Sequence, residues 1–144
     1  ATPVMPAEFS SATMTYNGSG GMVGVNYDVD GTTDDFRSVF GDAGAASSGA
    51  TSNGARAGWT VTADRWVIVR AEIDQDGRSR VYVGGDGVQG DSTEGLYLVE
   101  ELADAVTASD QFYAVLMIEN RSGNARVLEV DYGVAKGARD WNTD

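Results

Sequence analysis

The chain has 144 residues, 42% of them hydrophobic, with 22 acidic against 10 basic residues, a net charge of -12, and neither Cys nor His. That is one domain's length with enough apolar residues for a core, and it excludes disulfides, thiol nucleophiles, histidine bases and zinc sites built from Cys or His. An acidic surface with a single lysine, Lys136, repels phosphate backbones and anionic headgroups, so neither nucleic acid nor membrane is expected as a partner.

Residues 1–13 carry both prolines, Pro3 and Pro6, and show no clear periodicity. They predict an extended N-terminal arm, because proline disfavours helix interiors and central strands. Pro3, Met5, Pro6 and Phe9 are the arm's contact candidates, lying across a neighbouring copy or docking locally. Residues 14–144 are expected to form a single β-sandwich domain. Ala1 is what removal of an initiator Met leaves, which fits a whole gene product and a cleaved fragment alike. No run approaches the roughly 18 to 20 apolar residues of a membrane-spanning helix.

From Met22 the pattern alternates: Val23, Val25, Tyr27 and Val29 against Met22, Gly24, Asn26 and Asp28, the period of a half-buried strand. Phe36, Ser38 and Phe40 then alternate with Arg37 and Val39. The segment 41–58 is rich in Gly, Ala, Ser, Thr and Asn and predicts a long loop, with room for a short strand at its end. The clearest signal runs from Trp66 to Gly85. Val67, Val69, Ala71 and Ile73 share one face, Trp66, Ile68, Arg70, Glu72 and Asp74 the other, and Asp76-Gly77 separates them from a second alternating run at 80–83. An Asp-Gly pair between two such runs is a strong hairpin signature, since glycine accepts the positive φ of the turn. Leu98, Glu101, Leu102 and Ala105 have helical spacing and predict a helical turn or an irregular connection. Strands are expected again over 112–119 and 127–132, joined by the turn 120–124. About seven short strands with turns about every 8 to 12 residues predict an all-β fold, an antiparallel sandwich or barrel.

The run from Trp66 to Asp74, the Asp76-Gly77 turn, the strand Arg80 to Gly85 and the closing Leu128-Glu129-Val130-Asp131-Tyr132 resemble the C-terminal half of concanavalin-like (laminin G-like) jelly-roll domains. In that family a strand opening with Trp leads through Asp-Gly into a strand carrying Tyr, and the closing strand carries Asp-Tyr. The resemblance covers residues 60–135 and implies a jelly-roll-like sandwich. Stand-alone copies are similar to parts of tailed-phage virions, where they serve in capsid decoration and in tail or fibre parts. It therefore implies a non-enzymatic structural protein of the virion, a capsid decoration or cement protein at the capsid surface. Its partners would be the major capsid protein or another virion protein, together with further copies of itself as a homo-oligomer. The alternatives are a lectin-like carbohydrate-binding module, extracellular or on a virion, and a tail-tube or other tail subunit.

Three constellations are weighed as sites. Glu72, Asp74 and Asp76 alternate on one strand face, and jelly-roll glycoside hydrolases place two Glu residues four apart on such a strand. Here Asp76 replaces the second Glu and is needed for the turn, so a solvated hairpin face is the better reading and no enzyme is expected. Asp28, Asp30, Asp34 and Asp35 surround a turn and suit either a calcium site, with its six to eight oxygen ligands, or a solvated acidic turn. No other cofactor is expected. Trp66 and Tyr82 are candidates for stacking a sugar ring, against the alternative that they fill the core, as does Trp59. Trp141 lies beyond the last expected strand and is assigned to an inter-subunit contact.

Overall fold

A computed structural model describes residues 6–10, 13–18, 20–27, 29, 33–61, 65–85, 95–107, 112, 114–117, 127, 129–131 and 133–136. Among them every regular element is a β-strand: β1 (Ala7–Ser10), β2 (Thr13–Tyr16), β3 (Met22–Tyr27), β4 (Phe36–Asp42), β5 (Ala45–Ala46), β6 (Ile68–Ile73), β7 (Ser79–Gly84) and β8 (Leu96–Leu102). They form three antiparallel sheets, ordered β1-β2, β3-β4-β5 and β6-β7-β8. The architecture is an all-β sandwich. All three sheets lie in a first compact unit, residues 1–112, and residues 113–144 make a second.

The alternation of β4 explains the layering. Phe36 and Phe40 point toward the β6-β7-β8 sheet, where Phe36 packs with Val83, and Phe40 with Val81 and Ala105. Val39, on the opposite face, packs with Ala7, Met14 and Tyr16 of the β1-β2 hairpin. β4 is thus buried on both sides, from Phe36 to Gly41. β3 follows the same division: Val23, Val25 and Tyr27 join the clusters facing the third sheet, while Met22 packs with the hairpin. On that hairpin side Asn26 donates from Nδ2 to the Ala7 carbonyl at 2.9 Å.

The 66–85 hairpin forms as the sequence predicts. Val69 lies opposite Val83 and Ala71 opposite Val81. Gly77 adopts φ 84°, and the Asp74 amide donates to the Arg78 carbonyl at 2.7 Å to close the loop. A side chain at this φ would be strained, which is why the turn between the two strands carries Asp-Gly rather than Asp-X.

Four segments differ from expectation. Residues 7–10, assigned to the arm, instead form β1. Thr13 to Tyr16 presents Met14 and Tyr16 inward, which gives Ala7 a surface to bury against, and the Asn17 amide donates to the Pro6 carbonyl at 2.7 Å to extend the pairing. The small-residue segment is more ordered than a long loop: β4 runs into it and β5 lies within it, and at its end, where the composition leaves room for a short strand, an isolated antiparallel bridge joins Arg56 to Arg37. After β5 it runs back along β4, with Ser38 N donating to Ala55 O at 3.0 Å, Ala57 N to Phe36 O at 2.9 Å and Phe36 N to Trp59 O at 3.2 Å. Small side chains suit it to this close approach: a Cβ on Gly54, at φ 70°, would stand 2.5 Å from the Ser38 carbonyl oxygen. Residues 96–102 are strand β8 rather than a helical turn. An irregularity opposite Val81 and Tyr82 shifts the register by one, so Tyr82 faces Leu98 while Arg80 faces Glu101. That inserted residue turns a period of two into an apparent spacing of three. The strands expected over 112–119 and 127–132 are absent among the described residues there, Phe112, 114–117, 127 and 129–131. Alternation alone makes no strand without a ladder partner, and Val115, Leu116, Val127 and Val130 are exposed.

The two-sided burial of β4 sets an expected contrast. Phe40→Ala removes a ring that is 1% exposed and should cost about 3–5 kcal/mol. Val69→Ala, at a half-exposed position of β6, should cost about 0.5 kcal/mol or less. Urea denaturation of both variants measures the difference.

Candidate functional site

The outer face of the β6-β7-β8 sheet gathers the described side chains most able to do chemistry. Strand pairing places Glu72 opposite Arg80, Arg70 opposite Tyr82 and Arg80 opposite Glu101. The side chains complete a ladder. Arg70 pairs with Glu72. Arg80 reaches Asp74 at 3.1 Å through Nη1 and Glu101 at 3.1 Å through Nε, and Arg78 reaches Glu101 at 2.9 Å. Tyr82 donates its hydroxyl proton to Glu72 at 3.0 Å, and the Arg70 guanidinium lies 5.7 Å from the centre of its ring. Three arginines and three carboxylates therefore cancel on this face, in a chain whose net charge is -12.

The electrostatics follow the contacts. Hydrogen bonds from Arg78 and Arg80 hold the Glu101 carboxyl below its ordinary range. Desolvation and the hydrogen bond to Glu72 raise the Tyr82 phenol. Glu72, Asp74 and Glu101 each accept from an arginine on this face. Asp76 stands at the exposed hairpin tip and accepts from the Arg78 amide at 3.3 Å.

The sugar-stacking candidates are not brought together. Tyr82 has Arg70 against its ring, and Trp66 precedes β6, four residues from Arg70, about 13 Å at strand rise. Trp66 is 54% exposed. Trp59 is core: it packs with Phe36 and Val83 and meets Tyr97 edge to face at 4.9 Å. Of the acidic turn, Asp35 is buried, and its carboxylate accepts from Nε and Nη2 of Arg56. Asp34 is exposed, and Asp28 and Asp30 lie outside the described residues. Among the described residues no three Asp or Glu cluster as metal ligands would. Of the arm's contact candidates, Pro6 is half-buried and Phe9 belongs to β1 opposite Met14, while Pro3, Met5 and Trp141 lie outside the described residues.

Two features escape sequence reading. One is a polar strut running from buried Ser38 to the surface: Ser38 donates to Glu100 and accepts from the Ala55 amide at 2.7 Å, while Glu100 also accepts from the Thr51 amide and hydroxyl, both at 3.2 Å. Burial, with the Glu100 charge nearby, raises the phenol of Tyr16. The other is the exposed apolar content of β6, where Ile68, Val69 and Ile73 remain open to solvent beside the ion-paired face. Even spacing identified the strand but gave no sign that it ends the sheet. Comparison of the chain with protein-family models, with curated proteins and with solved structures finds no match.

Two outcomes follow. Arg80→Gln should raise the Glu101 titration midpoint, read by NMR of the carboxyl carbon. Because Glu101 is depressed when folded, the pairing contributes above its ordinary value of 4.5 and is lost as pH falls through the folded-state value. Ser38→Ala should cost about 1–3 kcal/mol in denaturant unfolding, because Glu100 and the Ala55 amide each lose a partner.

Proposed function

We propose that the chain is a non-enzymatic virion structural protein, a capsid decoration or cement subunit that works by contact between surfaces. The observation that carries this reading is the composition of the β6 side of the sandwich. Its charged groups are consumed by one another, and its unpaired chemistry is apolar: Ile68, Val69 and Ile73. Such a surface is suited to docking rather than to turning over a substrate. The all-β architecture and the jelly-roll resemblance support the same conclusion, as does a chain without Cys or His. The partners in this reading are the major capsid protein and further copies of the chain. Individually weak contacts gain strength when repeated on a symmetric lattice. The excess negative charge then faces outward and keeps a densely covered shell soluble. Particles lacking the protein should release their contents at lower temperature and under milder osmotic shock than complete ones, and equal resistance would overturn the role.

One observation favours a second reading, a carbohydrate-binding module: the exposure of Trp66, a large aromatic at the start of β6. A glycan array with and without chelator tests it. Binding lost on Trp66→Ala would move the assignment to that class, and absence of any binding would remove it.

A further inference from the structure

We infer that two copies of this chain pair edge to edge along β6, about a two-fold axis through Ala71, so that their β6-β7-β8 sheets become one continuous sheet. β6 ends its sheet, and among the described residues no strand lies on its outer side. The phase of its backbone is fixed by the hydrogen bond from the Asp74 amide to the Arg78 carbonyl at 2.7 Å. In an antiparallel ladder alternate residues bond to the same neighbour, so residues 68, 70, 72 and 74 turn their amides and carbonyls to β7. Val69, Ala71 and Ile73 turn theirs outward, where no described strand pairs with them. The same three residues carry the apolar face of β6, and Val69 is 51% and Ile73 36% exposed.

The sequence of this edge is complementary to itself in one register. Matching apolar face to apolar face, and outward amide to outward carbonyl, requires the two-fold axis to pass through a residue rather than between two. With Ala71 on the axis, Val69 faces Ile73 of the second copy, Ala71 faces Ala71, and Arg70 faces Glu72 in both symmetry-related positions. Each outward amide then finds a carbonyl, and each charge finds its opposite. With Arg70 on the axis two arginines meet, and with Glu72 on it two glutamates meet; like charges directly opposite destabilise a strand pair. Centring on Val69 overlaps little more than the first half of the strand. The choice of a second copy as the occupant thus rests on charge and shape complementarity along the edge. It rests also on the balanced charge of the adjoining face, which lets two chains of -12 approach there. The pairing is isologous, so it closes at two copies and leaves no further open edge at β6.

This pairing deepens the contact-making reading, and the two fail separately: dimerisation is measured on the isolated full chain, and shell stabilisation on particles. Sedimentation equilibrium across the micromolar range should show a concentration-dependent dimer. Arg70→Glu and Glu72→Arg should each weaken it by roughly tenfold by placing like charges opposite. The double variant R70E/E72R should restore it to within about threefold, and so should an equimolar mixture of the two single variants, in which the pair within each chain stays broken while each charge meets its opposite across the axis. Ala71→Pro removes an outward N–H without touching the β6-β7 ladder and should leave a folded monomer by circular dichroism. A chain that stays monomeric throughout, or a dimer indifferent to all of these changes, would overturn the inference. So would slow hydrogen exchange at the Val69, Ala71 and Ile73 amides of a monomer, which would show that another part of the same chain covers the edge.

Discussion

The burial of β4 on both faces is the constraint on which the rest of the first unit depends. A strand with one buried face tolerates any polar residue on the other, but β4 sits between the β1-β2 hairpin and the β6-β7-β8 sheet and has no solvent side from Phe36 to Gly41. Its polar residues must therefore find partners inside the protein. Arg37 donates to the Asn53 carbonyl at 3.1 Å and to the Thr33 carbonyl at 3.4 Å, and Ser38 links Glu100 to the Ala55 amide. The bonds to Asn53 and Ala55 reach out from the strand to the segment 47–59 and hold a stretch that has little apolar bulk of its own. The loop is ordered by the needs of the strand it covers.

The same layering accounts for what remains outside. β3 packs over β6 and β7, and β4 over β8. Val81 and Val83 of the central strand β7 are sealed, whereas the inner face of β6 extends beyond its cover. Burial thus falls across one sheet, from complete at β7 to partial at β6, with no change in residue type. The ion ladder on the opposite face follows from register: antiparallel pairing brings together arginines and carboxylates that are far apart in sequence, as with Arg80 and Glu101.

Much of this was legible in the sequence wherever local and global periods coincide. The 66–85 hairpin and β3 and β4 follow directly from alternation, and the turn chemistry of Asp76-Gly77 fixes the loop. Legibility fails where tertiary context changes the period. The irregularity in β8 disguises a strand as a helical turn, and the order of residues 47–59 comes from hydrogen bonds to β4 that no composition reveals. β1 was hidden because a four-residue strand whose partner begins three residues later has too short a pattern to read. Of the candidate sites, the hairpin face could be placed, but the quenching of its carboxylates by arginine could not. The contact between Asp35 and Arg56 spans 21 residues and is set by the route of the chain rather than by any motif. Edge or centre is likewise a property of the assembled sheet, so nothing in the β6 alternation marks it as the boundary.

The balanced ladder on the outer face has a consequence for how the molecule behaves in solution. Net charge is usually treated as one number, but among the described residues opposite charges are matched on one face, in a chain whose total is -12. Repulsion between copies is consequently directional. It acts over a Debye length of about 10 Å at 0.1 M salt, weakest for approaches through the neutral face. In the pairing inferred above, two copies would approach through this matched face, so their excess charge would act on the direction of approach rather than against the contact itself.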